Sequence, residues 1–428
     1  MRRPPSDRAL PPSQHPPRVS EGVPARRRLA AWCFLLLTLA SGVFLRYQWT
    51  GQTAPWFDSR FLLHAHSHVA LLGWTFVAVF ALVFASAGRV GARPGSVEQS
   101  SRAAPTAVLR LLGEGLVFSL ILALFVAFLF EGYAFWSILL STLHIGVAFG
   151  LIAGYVAGAR TAIDRNARPW IDASMVWFVL ANLGPLLLSG GGRMGQGWID
   201  AWVGYYLTLA FNGWLTFAVI GLLVGAGWLR AGSTIFRVMA LGVLPTALPP
   251  LTAWIEIPLA RSVGWMGAIL FGGALVVLGW GGLRDLLSGL AGGVSEASGP
   301  ARGLLGSVAV ALLLLGVLGM IGSAPPLAPE VAGTRMLMIG FIHLQLMGFV
   351  SSGLILLLFP RLRGMAIWPF LVGSWMMILI LIGAGAMQFF GHRVRTPLQG
   401  ILAGAGLIAL AGAFFLPRVG RPRVGSKG

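Results

Sequence analysis

Apolar stretches recur along the chain from residue 29 to residue 417, and short polar or charged segments separate them. Each stretch has about 20 residues and can therefore cross the hydrocarbon core of a membrane, which is roughly 30 Å thick. The pattern predicts an all-α fold, a polytopic transmembrane bundle of about twelve helices. The predicted helices span residues 29–49, 61–87, 106–131, 133–159, 169–190, 199–228, 233–255, 260–282, 303–323, 334–359, 365–390 and 397–417.

The two ends of the chain differ from this pattern. Residues 1–28 are rich in proline and arginine and predict a disordered tail, residues 29–417 form the transmembrane domain, and residues 418–428 form a basic tail. A basic stretch before an apolar run also describes a signal peptide. The run 29–49 is longer than a signal core and has no clear small-residue cleavage site, so we interpret it as the first helix.

Composition supports the membrane interpretation. Hydrophobic residues make up 57% of the chain and charged residues 10%, which is incompatible with a surface that faces water, so the lipid bilayer is the expected environment. The net charge of +18 comes from 31 Lys and Arg against 13 Asp and Glu. These basic residues lie largely between hydrophobic segments. They indicate topology and argue against nucleic acid as a partner.

Arginines are concentrated in alternate loops. If the N-terminal tail is cytoplasmic, the even-numbered loops and the C-terminal tail are cytoplasmic too, as the positive-inside rule requires. The sequence therefore predicts a multi-pass protein of a bacterial-type inner membrane with both termini in the cytoplasm. The arginines of the predicted cytoplasmic loops include Arg89, Arg93, Arg102, Arg160, Arg165, Arg168, Arg230, Arg237, Arg284, Arg302, Arg361 and Arg363.

Histidines are the main candidates for chemistry. The single cysteine, Cys33, excludes a disulfide within the chain and a thiolate cluster, so a redox cofactor needs other ligands. Predicted helix 2 opens with His64, His66 and His68, and predicted helix 10 carries His343 at a similar depth. Neutral imidazole suits iron and copper, although a histidine satisfied by a backbone carbonyl is the alternative. His64 and His68 share one helix face, whereas His66 lies on another.

Two short strings carry a family resemblance, His68-Val-Ala-Leu-Leu-Gly-Trp and His343-Leu-Gln-Leu-Met-Gly-Phe. Together with the twelve helices, they resemble subunit I of haem-copper oxidases, including cytochrome c oxidase, and of nitric oxide reductases. The stretch His64-Ala-His66 is also similar to NnrS-type haem-copper membrane proteins. The resemblance covers the architecture of the whole chain, but these motifs are short.

The resemblance implies a low-spin haem, b-type by expectation, with His68 and His343 as axial ligands of the iron. It implies His64 and His66 as ligands of a second metal, for which copper is a candidate, or as supporting groups. Arg393 and Arg395 would bind the haem propionates. A periplasmic electron donor or quinol and subunits of a respiratory complex are the implied partners.

Three positions depart from the family. Phe341 stands where the active-site haem ligand is expected, Thr208 stands where a histidine of the second metal is expected, and residues 242–250 contain no histidine pair. We therefore expect a haem protein that transfers electrons and lacks the usual oxygen-reducing centre. If it is an enzyme, it is an oxidoreductase of the respiratory chain.

Other functions remain open from sequence. The histidine cluster also fits a copper or zinc transporter or sensor, or a small-solute transporter, and the chain could be a non-catalytic subunit of a respiratory complex. His144, Glu114, Asp172 and Glu256 are intramembrane or interfacial groups that could pass protons or bond neighbouring helices.

Overall fold

The computed structural model describes residues 22–51, 57–88, 103–188, 195–252, 257–288, 299–359, 367–392 and 397–417. Within these ranges the chain is helical without a β-strand, and eleven helices are long and apolar enough to cross a membrane. A shorter apolar helix follows them. The predicted all-α polytopic bundle is therefore confirmed. The helices are α1 Ala25–Gln48, α2 Ser59–Ser86, α3 Leu112–Glu131, α4 Phe135–Ala162, α5 Arg168–Leu188, α6 Gln196–Gly225, α7 Ser233–Leu251, α8 Leu259–Ser288, α9 Gly299–Gly322, α10 Arg335–Leu358, α11 Ile367–Phe389 and α12 Pro397–Phe414.

Helix α1 starts earlier than the predicted tail boundary at residue 28. It begins at Ala25 after Pro24, so Arg26 and Arg27 are helical. Both guanidinium groups bond the Glu114 carboxylate on α3, and the Arg27 Nη2 to Glu114 Oε1 distance is 2.6 Å. These ion pairs stabilise an extra helical turn that the local sequence does not predict. The residues before 22 lie outside the described residues.

Ion pairs mark one end of the bundle, which we call the arginine end. Besides the Glu114 cluster, the Arg160 Nη2 at the end of α4 lies 2.9 Å from Asp172 Oδ2 on α5. The Tyr155 hydroxyl donates to the same carboxylate at 2.8 Å. Glu114 and Asp172 therefore act as interhelical partners. The opposite end, where α1 ends and α2 begins, is the histidine end.

Three helices form the centre of the bundle: α2, α6 and α10. In each of them, 78% of the most apolar segment is buried inside the protein, against 17% in α3 and in α4. The three central helices are four helices apart in the chain, and their halves toward the arginine end pack against one another. The other helices surround them, so polar groups on the central helices are held away from lipid.

Each central helix widens into a π-helical segment near its middle. These segments are Val69–Thr75 in α2, Leu209–Leu215 in α6 and Leu344–Ser351 in α10. Such segments are rare and often lie at functional sites. The three occurrences share one sequence pattern, because a glycine and then an aromatic residue stand five and six positions after the residue that precedes the segment. The three central helices thus share one backbone feature and one sequence pattern, while α4 has a shorter π-helical segment at Tyr155–Ala159.

Side-chain hydroxyls bond carbonyls in the wider turns of two π segments. Thr216 Oγ1 donates to the Phe211 carbonyl at 2.7 Å, and Ser352 Oγ donates to the Met347 carbonyl at 3.1 Å. Each hydroxyl reaches a carbonyl five residues earlier in the chain. Since an unbonded carbonyl in a dry interior is costly, these hydroxyls help to stabilise the segments.

The π segments are also bonded to one another. Gln345 Nε2 on α10 donates to the Phe211 carbonyl on α6 at 2.9 Å and lies 3.1 Å from Thr216 Oγ1. Trp74 Nε1 on α2 donates to Ser351 Oγ on α10 at 2.9 Å. Because these bonds are buried, they fix the rotation of α10 relative to α2 and α6.

Candidate functional site

The three neighbouring histidines of α2 belong to two different sites. Side chains two residues apart on a helix point to nearly opposite faces, whereas those four apart share a face. His66 accordingly contacts α1. His64 and His68 instead contact the turn between α3 and α4. The HxHxH string, which reads as one cluster, is divided between two sides of α2.

His66 is fixed by α1. Its Nδ1 lies 3.0 Å from the Thr38 carbonyl oxygen and 3.2 Å from Ser41 Oγ. Because the carbonyl can only accept, Nδ1 carries the hydrogen and Nε2 keeps its lone pair. The ring lies close to Gly42, where a Cβ would be 2.9 Å from the His66 Cε1. The sequence of α1 is therefore shaped to hold this imidazole.

His343 lies on α10 with the same tautomer. Its Nδ1 donates to the Ile339 carbonyl at 2.8 Å, which leaves Nε2 as the free nitrogen. Arg46 and His66 lie within electrostatic reach of this ring. His68 interacts in this way with His64 and His144. His343 therefore interacts electrostatically with His66, whereas His68 contacts Phe128 and Tyr133.

Depth also matches between His66 and His343. The first lies seven residues after the start of α2 and the second eight residues after the start of α10. At 1.5 Å per residue, these are depths of about 10 and 12 Å from the histidine end, since both helices run in the same direction. Two imidazoles from different central helices thus stand at nearly one level.

Neither imidazole is fully buried. The His66 and His343 side chains both have intermediate exposure, so each keeps some surface that neighbouring side chains do not cover.

Two arginines with no carboxylate partner lie at the same end of the bundle. Arg46 is 6% exposed, and its Nη1 donates to Gln399 Oε1 at 3.1 Å. The guanidinium carbons of Arg46 and Arg335 lie 5.0 and 5.6 Å from the centre of the Trp49 ring. No carboxylate among the described residues forms an ion pair with either one. Two cations that share one indole repel each other, and an anion would relieve this.

The arginine pair is a feature that sequence reasoning missed. Arg46 stands inside an apolar helix, and a charge at such a position is a signal of function. The predicted propionate ligands Arg393 and Arg395 lie outside the described residues, as does Glu256. Their predicted roles stay predictions.

The other face of α2 holds His68 and His64. His68 Nδ1 donates to the His64 carbonyl at 2.8 Å, and its ring stacks on Phe128 with centroids 3.8 Å apart. The Tyr133 hydroxyl lies 3.4 Å from His68 Nε2, and its ring centroid is 4.6 Å from that of His64. His68 thus contacts α3 and the turn that precedes α4, and its predicted role as an axial ligand stays a prediction.

His144 lies deeper on this same face. It is 1% exposed, bonds the Leu72 carbonyl and packs against Phe76, with ring centroids 4.5 Å apart. Its Nε2 is buried and makes no hydrogen bond within the described part of the chain.

The side of the bundle formed by α6 and α7 has different chemistry. Thr208 donates its hydroxyl to the Gly204 carbonyl at 2.8 Å, and Asn212 Nδ2 lies 3.5 Å from Thr246 Oγ1. Helix α7 contains no His, Cys, Asp or Glu. In the ranges that the structure describes, no three such residues are grouped as a metal site. The described residues of α6 and α7 include no histidine.

Comparison with known proteins gives no family for this chain. No protein-family model matches its sequence, and no curated protein matches it significantly. The resemblance to oxidase and reductase subunits stays a prediction, and function must be argued from the residues themselves.

Proposed function

We propose that the chain is a haem-binding integral membrane protein that transfers electrons and resembles subunit I of haem-copper oxidases and nitric oxide reductases. A single low-spin haem, b-type because no covalent attachment motif exists, would lie between α2 and α10. The supporting observation is that His66 and His343 lie at matched depth on two central helices, each with Nδ1 held by a carbonyl.

The two imidazoles fit the needs of an axial ligand pair. A neutral imidazole whose Nδ1–H donates to a carbonyl presents Nε2 to a metal in a fixed orientation. The carbonyl that accepts this hydrogen bond belongs to Thr38 on α1 for His66 and to Ile339 on α10 for His343. When bound, the haem supplies reversible one-electron iron chemistry. The proposal replaces His68 with His66 in the predicted pair because of these contacts.

Arg46 and Arg335 fit the anionic edge of the same group. They lie at the histidine end, and Arg46 is within electrostatic reach of both His66 and His343. Haem propionates near these guanidinium groups would offset the repulsion between them, since carboxylates pair well with arginine. Arg393 and Arg395, which follow α11 at the same end, would add to this positive surface.

Electron transfer without oxygen reduction follows from the residue types on the α6 and α7 side. Thr208, Phe341 and α7 offer no imidazole there. The electron donor would be a periplasmic protein or a quinol, with other respiratory subunits as partners. The arginine end carries the loops with most basic residues, so we assign it to the cytoplasm of a bacterial-type cell. Both chain termini would then be cytoplasmic.

A reduced-minus-oxidised optical spectrum of the detergent-purified protein tests this function, with haem and copper quantified on the same sample. We expect a sharp low-spin α band and an equimolar haem content. Protein that contains no haem after expression in haem-replete cells, and takes up none when incubated with haemin, would contradict the proposal.

A further inference from the structure

The face of α2 opposite to His66 carries a second set of donor atoms. His64 and His68 are one helical turn apart and lie on the same face, where both rings contact Tyr133. None of the three is required by the haem proposal. His64 and Tyr133 lie near the histidine end, and Tyr133 is 61% exposed, so an ion from that end can reach them.

The position of Tyr133 is set by the turn between α3 and α4. Gly132 has a φ of +63°, and a Cβ there would lie 2.6 Å from the Phe61 ring on α2. Any residue other than glycine would be strained and would collide with Phe61. This close contact holds the α3–α4 connection against the start of α2. It places the phenol of Tyr133, the next residue, beside His64 and His68.

The distance between two donor atoms of this set, the Tyr133 oxygen and His68 Nε2, is compatible with a shared metal ion. The Tyr133 hydroxyl lies 3.4 Å from His68 Nε2, which is long for a hydrogen bond from a hydroxyl group. Two donor atoms about 2.0 Å from one Cu²⁺ ion at adjacent square-planar positions stand about 2.8 Å apart, so a shift of about 0.6 Å would bring this pair onto one ion. His68 also donates Nδ1–H to the His64 carbonyl, so its Nε2 is the nitrogen left for a metal.

We propose that His64, His68 and Tyr133 form a binding site for a divalent transition-metal ion, with Cu²⁺ as the ion of highest affinity. Two imidazoles and one phenol oxygen suit Cu²⁺. Among the divalent first-row metal ions, Cu²⁺ is generally the one that sites with nitrogen and oxygen ligands bind most tightly. The Tyr133 oxygen loses its proton to water when the ion binds. The site is independent of the haem, because it lies on the other face of α2.

The proposed site differs from the commonest metal sites, because only two of its donors are histidines and the third is a phenol oxygen. The third comes from a turn far along the chain, and Gly132 brings it within reach.

A copper titration of the purified full-length protein tests the site. Cu²⁺ is added against a competing chelator, and binding is followed by electron paramagnetic resonance and visible absorption. We expect one equimolar site with nitrogen hyperfine coupling and a tyrosinate-to-copper charge-transfer band. His64→Ala should weaken binding by at least about tenfold. Tyr133→Phe, which preserves the ring packing, should abolish the charge-transfer band.

His392→Ala is the matched control, because His392 is an exposed histidine that follows α11 at the same end. It should leave affinity and spectra unchanged. Copper binding that His64→Ala and Tyr133→Phe do not alter, or that shows no tyrosinate band in the unmodified protein, would overturn the proposal. Haem content is measured separately on each variant, so failure of the haem proposal would not affect this result.

Discussion

Helices α2 and α10 carry the same local pattern but present it to different neighbours. In both, a histidine precedes the π segment, and a glycine and an aromatic residue follow within it. His343 on α10 faces α1 and α2, where Arg46 and His66 lie. His68 on α2 faces α3 and α4, where Phe128 and His144 lie.

The difference follows from the threefold repeat of the central helices. Equivalent positions on α2 and α10 point to successive parts of the bundle, so two equivalent histidines do not face each other. The proposed partner of His343 on α2 is the residue two positions earlier, on the opposite face, which is His66. On α10, the residue equivalent to His66 is Phe341, which lies toward Gly319 on α9. A repeated sequence motif therefore predicts the local backbone of each helix, but the arrangement of the helices decides which histidines lie near each other.

Removal of His343 should have the largest effect. His343→Ala takes away one proposed axial ligand, and we expect haem content to fall by more than about tenfold, as loss of a metal ligand does. Thr208→Ala, at the equivalent position of α6, is the matched control. It should retain the haem. Haem is measured per protein. Equal haem loss in both variants would mean that either substitution disturbs the central helices, and it would contradict a specific role of His343 as a ligand.

A bulkier residue at Gly42 should disturb the position of His66 on α2. Gly42→Ala places a Cβ 2.9 Å from the His66 Cε1, so the ring or α1 must shift. We expect a changed low-spin spectrum and a loss of about 1–3 kcal/mol in stability. Gly404→Ala is the control, because a Cβ there meets no atom within 4 Å. Thermal unfolding and optical spectra of both variants check the prediction, and an unchanged Gly42→Ala spectrum would argue against His66 as a ligand.

Neutralising Arg335 should have a smaller effect that sharpens the electrostatic part of the account. Arg335→Gln removes a positive charge near the proposed haem, which favours the ferric form and lowers the midpoint potential. We expect a decrease of roughly 60 mV, equivalent to a tenfold change in a one-electron equilibrium. Arg261→Gln, an exposed arginine at the histidine end of α8, should leave the potential unchanged in the same redox titration. A higher potential in Arg335→Gln would contradict the proposed location of the haem.

The hydrogen bond between Trp74 and Ser351, which joins two π segments, should have the smallest effect, and this effect is on stability. Ser351→Ala removes the acceptor of the Trp74 indole N–H with little change in volume and leaves a buried donor without that partner. We expect a loss of about 1 kcal/mol in stability, read as a lower thermal unfolding midpoint in detergent. Ser288→Ala, a substitution at an exposed serine on α8, should be nearly neutral. If the two variants unfold alike, the bond contributes little to the packing of α2 on α10.

The bundle was predictable because length and hydrophobicity alone decide which segments cross a membrane. The depth of His66, His68 and His343 was predictable too, since helical rise is constant. The pairing that we propose was not predictable, because it depends on the rotation of α2 relative to α1 and α10. That rotation is visible in the Thr38 contact of His66.

The arginines show a second limit. Sequence placed the expected propionate ligands after α11, at Arg393 and Arg395, which the structure does not describe. Arg46 and Arg335 come together only because the end of α1 meets the start of α10 at Trp49, and no local pattern encodes that contact. The charge inside the apolar α1 was nevertheless a readable signal.

The most direct test of the central claim is haem content, with the electron paramagnetic resonance spectrum, of His66→Ala compared with His68→Ala. We expect His66→Ala to lose the low-spin haem signal, whereas His68→Ala should keep the haem and its low-spin spectrum. Loss of the haem in His68→Ala together with its retention in His66→Ala would contradict the pairing of His66 with His343.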